Sequence, residues 1–131
     1  MNLNRIFDLF DKNNDSTPDM DQELVKIQES NIFKLKMFLK IINGKGNYKK
    51  MSQPFIEGDK LDNVVNTIIY IRAYYWFEQI NIEKFRKDDL LGCNYPNVIQ
   101  CIQETIKFYE SIEEYEKCAE LKKFENLLLS F

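Results

Sequence analysis

The chain has 131 residues, is 44% hydrophobic and 30% charged, and carries a net charge of −3 with a pI near 5.1. That apolar content at that length excludes a disordered chain and supports one domain, residues 1–131, with a core of its own. The acidic balance argues against a general nucleic-acid binder, and the lack of any histidine removes the commonest general base and the commonest zinc ligand together.

Residues 1–9 (MNLNRIFDL) contain no apolar run and no small-residue cleavage site, so no secretory signal is expected. Cys93, Cys101 and Cys118 are odd in number and lack CxxC spacing. They read as reduced, mostly buried thiols of a cytoplasmic protein. Fifteen of the 18 basic residues are lysine, and asparagine and isoleucine are abundant. Such usage is associated with A/T-rich genomes, as in phages, low-GC bacteria or protists.

Residues 4–10 form a short amphipathic stretch with Ile6, Phe7 and Phe10 on one face, and residues 11–17 (DKNNDST) read as a polar loop. Phe7, Phe10, Asp11, Asn13, Asp15, Glu23 and Leu24 resemble a calcium-binding EF-hand, in which alternate loop oxygens would hold the ion. Ser16 stands where that loop needs a turn glycine, and Glu23 falls one residue after the twelfth position. The expectation is therefore no metal, with the acids serving the start of a helix instead.

Thr17 is a cap and Pro18 suits a first helical position, so a helix is expected to about Asn43, broken at Ser30–Asn31. Its inward residues are Leu24, Ile27, Ile32, Leu35, Phe38, Leu39 and Ile42. Gly44 is a natural stop, and residues 44–59 read as a surface loop with Phe55 and Ile56 pinned to the core. Lys34, Lys36, Lys40, Lys45, Lys49 and Lys50 form a run without an acid. Such a run is either a phosphate-contacting patch for nucleic acid or the wet side of a helix and a loop. Gly44-Lys45-Gly46 does not meet the phosphate-loop pattern.

Residues 61–80 (LDNVVNTIIYIRAYYWFEQI) are the expected central helix. One stripe runs Val65, Ile69, Ala73, Trp76, Ile80 and a second Val64, Ile68, Ile71, Tyr75, so most sides should be covered. Trp76 is expected as a deeply buried aromatic. The run is too short for a membrane span and contains Arg72. That arginine is expected to pair with Asp88 or Asp89, or to reach the surface along its stem.

Residues 81–91 read as a short helix or connector, and residues 92–94 as a turn. Pro96 opens a helix to Ile112 with Val98, Cys101, Ile102, Ile106 and Tyr109 inward. A turn at Glu113–Glu114 leads into a last helix over residues 115–129. Tyr115-Glu116-Lys117-Cys118-Ala119-Glu120-Leu121 resembles the UVR motif, a helical hairpin of excision-repair subunits and protease adaptors. The resemblance implies protein contact by hairpin pairing, with the small Cys118–Ala119 pair letting two helices approach. The same letters also fit half of a tetratricopeptide unit, once, and an ordinary antiparallel helix pair.

These readings converge on an all-α single-domain bundle of five or six helices with a C-terminal hairpin over residues 96–131. No catalytic constellation or cofactor motif is visible. The expected function is a non-catalytic interaction protein, an adaptor, small inhibitor or regulator acting through exposed helical surfaces. Its contact residues would be Tyr115, Phe124, Leu127, Leu128 and Phe131, whose apolar surface exceeds one face's needs. The partner would be another protein or a second copy, with no membrane involved. A nucleic-acid module using the lysine run is the alternative, and a small enzyme of unrecognised type the third.

Overall fold

The computed structural model describes residues 18–131, and among these it contains helices and turns but no strand. The α-helices are α1 (Pro18–Glu29), α2 (Asn31–Asn43), α3 (Lys45–Ser52), α4 (Gly58–Phe77), α5 (Tyr95–Ser111) and α6 (Tyr115–Leu129). Two 3-10 turns, Ile82–Lys84 and Lys87–Leu90, bridge α4 to α5. The all-α bundle read from the sequence is the observed fold.

Ser30 breaks the first long helix as expected. Its backbone is extended, its hydroxyl donates to the Ile27 carbonyl at 2.7 Å, and the Phe33 amide donates to that hydroxyl at 3.1 Å. One side chain thus closes α1 and caps α2, because serine satisfies the orphan amides that a helix start leaves open. Leu24 and Ile27, expected inward, are exposed on α1, whereas Leu35, Phe38, Leu39 and Ile42 of α2 are buried.

Residues 44–59 are not one loop. Gly44 ends α2 after Asn43 as expected, but with a right-handed backbone (φ −83°, ψ 0°) it leads directly into α3 and not into a loop. Tyr48 and Ile56 pack against the core, but Phe55 is 86% exposed and is not pinned to it.

Helix α4 starts and ends about one turn earlier than expected. It buries Leu61, Val65, Ile69, Tyr70, Ala73, Tyr74 and Phe77, and α2 packs antiparallel along it. The pairing is locked at one end by Asn31 and Asn81. The Asn31 amide donates to the Asn81 carbonyl at 3.1 Å, and the Asn81 backbone N–H donates to the Asn31 side-chain oxygen at 2.9 Å.

The hairpin of α5 and α6 forms the other layer. Asn94 caps α5 by accepting from the Asn97 amide, and α5 buries the expected Val98, Cys101, Ile102, Ile106 and Tyr109. Glu113 takes a left-handed φ of 61° at the hairpin turn. Tyr95 donates to the Leu128 carbonyl at 3.1 Å, and Lys122 pairs with Glu110 at 3.3 Å, tying the two helices at both ends. The layers meet at Phe77, whose ring lies 5.5–6.0 Å from those of Tyr74, Phe124 and Phe38. Trp76 is only half-buried, edge-on to Phe33 at 5.7 Å, so it is not the core aromatic that the sequence reading made it.

Candidate interaction surface

Helix α4 carries two apolar stripes, and the fold covers one of them only in part. Val64, Ile68, Ile71 and Tyr75 recur at spacings of four, three and four, which sets them within roughly 60° of one another around the axis. Val65, Ile69 and Ala73 occupy the far side. The near stripe is only partly covered: Ile68 is half-buried, whereas Ile71 is 52% exposed and Tyr75 57%. Most of the circumference of α4 is covered as expected, from Leu61 through Val65, Ile69, Ala73 and Phe77 to Tyr70 and Tyr74, and the part left open is the side of Ile71 and Tyr75. Helices α2, α3 and α5 all pack on α4, and Ile71 and Tyr75 stay more than half exposed.

Beside the open stripe runs a groove of about 530 Å³ between α2 and α4, lined by Met37 and Ile41 on one wall and Arg72, Tyr75 and Trp76 on the other. Arg72 is exposed and forms no ion pair among the described residues. Its expected partners are elsewhere. Asp89 accepts from the Arg86 backbone N–H at 2.9 Å, and Asp88 is exposed beside Lys87 and Leu91. Arg72 reaches solvent along its stem, so the surface alternative is the one realised.

The tail contributes less open surface than expected. Phe124 and Leu128 are fully buried, and Leu127 packs against the core. Phe124 and Leu128 cannot face a partner, because their side of α6 is taken up within the fold, where Phe124 meets Phe77 of α4 at 5.6 Å and Phe85 at 4.9 Å, whereas Leu127 is half-buried. Tyr115 is exposed, and Phe131 is partly exposed, stacked on Phe85 at 6.3 Å. Within the motif-like segment, Cys118 is the close-approach residue, its thiol 3.6 Å from the Ile106 carbonyl, while Ala119 is exposed.

The six lysines do not share one face. Lys36 reaches toward the turn at Gly92, before α5 begins, whereas Lys45 donates to the Tyr70 hydroxyl at 3.2 Å, in a pocket with Lys107 and Ser111 near the end of α5. Those places are about 25 Å apart along a 17-residue helix. Lys49 pairs with Asp62 at 2.6 Å, and that hydrogen bond holds the Asp62 carboxyl below its ordinary range. Lys40 and Lys50 are exposed, and Lys34 is half-buried.

Of the calcium-like residues, Asp11, Asn13 and Asp15 lie outside the described residues. Glu23 sits on α1, exposed and 3.6 Å from Lys26. No group of three potential metal ligands occurs among the described residues. All three cysteines are free. Burial, reinforced by Glu104, pushes the Cys101 thiol up to about 11, and burial likewise raises Cys118, so neither is poised as a nucleophilic thiolate. Among the described residues no helix is long and apolar enough to cross a membrane. Compared with protein-family models, curated proteins and solved structures, the chain matches none.

Proposed function

We propose that this is a non-catalytic interaction protein whose contact surface is the open face of α4 together with the groove beside α2. The observation that carries the reading is the stripe Val64, Ile68, Ile71, Tyr75 on the longest helix, of which Ile68 is half-buried and the other three are exposed. A two-heptad apolar seam with half-exposed Ile71 and Tyr75 leaves apolar area in water, and such patches are retained where another surface covers them. The seam's spacing suits an amphipathic helix, laid along α4 with its own apolar residues against the groove. Adaptor, inhibitor or regulator are all roles that this kind of contact serves.

The test is direct. A synthetic amphipathic peptide with a two-heptad leucine seam and acidic flanks is titrated into the full chain, and Trp76 fluorescence reports occupancy of the groove. Binding is expected for the native chain and at least about tenfold weaker for Ile71→Glu, a difference worth roughly 1.4 kcal/mol. Circular dichroism should show Ile71→Glu as helical as the native chain, because Ile71 faces solvent. Equal binding by both chains, or none by either at a dilution where sedimentation shows the chain to be a monomer, would remove the proposal.

A further inference from the structure

We infer that the occupant of this face is α1 of a second copy of the chain, exchanged reciprocally so that each copy's α1 lies along the other's α4. The inference rests on the docking reading above and names its partner.

Charge is the first argument. Between Asn31 and Asn43, and again between Asn63 and Phe77, the chain has no acid. Arg72 is on the α4 wall of the groove, and Lys34 and Lys40 sit about 60° to either side of Met37 around α2. None of these three cations forms an ion pair among the described residues. Pairing α4 with α4 would set this cationic frame against itself. A helix with acidic flanks would neutralise it.

Helix α1 has that character. Leu24 and Ile27, three apart on one face, are 42% and 51% exposed. Asp21 and Glu23 lie to either side of that face around the axis, and Glu29 follows in the last turn. Lengths agree as well. Twelve residues of α1 span about 18 Å, and Val64 to Tyr75 about 16 Å.

Connectivity then decides between copies. Only Ser30 separates α1 from α2, and two antiparallel helices need a loop of about two to five residues. Ser30 is moreover fixed by its bonds to Ile27 and Phe33. A chain cannot fold its own α1 back over its own groove without breaking that cap. A second copy's α1 is under no such constraint, and reciprocal exchange covers two exposed faces per chain at once.

Sedimentation velocity on the full chain, Leu24→Glu, Ile71→Glu and an equimolar mixture of the two variants tests this. The native chain is expected to be a dimer and each variant alone a monomer. The mixture should regain association, because Leu24→Glu keeps an intact groove and Ile71→Glu an intact α1. High salt should weaken the native dimer. A Leu24→Glu chain that stays dimeric while Ile71→Glu is monomeric would overturn the exchange and leave α4 as an interface of another kind. A native chain that is monomeric yet binds the acidic peptide would likewise overturn the second-copy assignment and spare the docking reading. A monomer that binds no peptide would sink both.

Discussion

Phe77 and Trp76 are neighbours in sequence and differ sharply in burial, because one helical step of about 100° carries a side chain from the centre of the bundle to its margin. Phe77 is 2% exposed and touches aromatic rings from α2, α4 and α6. Phe77→Ala should therefore cost about 3–5 kcal/mol, since the cavity opens where three elements meet. Trp76→Ala should cost less, about 1–2 kcal/mol, because its ring is half in water and its main neighbours are Phe33 and the exposed Tyr75. Urea denaturation of the two variants checks the order, and a larger loss for Trp76→Ala would contradict the burial described here. The sequence could not rank the pair. Both lie in one apolar run with two stripes, and periodicity says which residues share a face but not which face the rest of the chain covers. Arg72 was ambiguous for the same reason. Its place beside the open stripe makes it a surface cation.

At the scale of elements, the break at Ser30–Asn31 and the turn at residues 92–94 ahead of Pro96 were legible, whereas the side chains that cap the helices there come from the structure. Ser30 and Asn94 are caps that the backbone needs, and each sits at a helix start. Ser30→Ala should cost about 1 kcal/mol and fray the α1–α2 junction, measurable as a lower midpoint and faster amide exchange at Phe33. An unchanged midpoint would show that the cap is dispensable. Helix α3 was not legible. Three glycines and a proline between residues 44 and 59 read as loop chemistry. Gly44 nonetheless adopts a right-handed conformation, and Tyr48 anchors α3 to the core, so tertiary packing overrides propensity there. The tail shows the opposite failure. The apolar residues of α6 exceed one stripe, but Leu128 is fully buried and Phe124 is taken up by Phe77 and Phe85, from elements far off in sequence. No local pattern announces such partners.

For the whole molecule, the helical class and the α5–α6 hairpin followed from periodicity, whereas the candidate site followed from which surfaces remain once the layers close. The same closure sets how stability responds to alkali. Burial raises Cys101 from its ordinary 9.0 to about 11, with Glu104 adding to the effect. Burial also raises Cys118, Tyr74 and Tyr109, and the nearby Glu110, Glu78 and Glu114 push the same way. In each case the folded chain holds its proton more tightly than the unfolded chain does. Their contribution is therefore complete below about pH 9, where neither state ionises these groups. It falls as pH rises past the unfolded values, because unfolding then releases protons that the fold retains. For Cys101 the loss continues to about pH 11, where the folded thiol ionises too. Urea midpoints are expected to stay level from neutral pH to about pH 9 and then decline steadily. Cys101→Ser should shorten that decline, since a serine hydroxyl does not titrate there. A Cys101→Ser chain whose midpoint falls as steeply as the native one between about pH 9 and 11 would assign the alkaline sensitivity to the tyrosines instead.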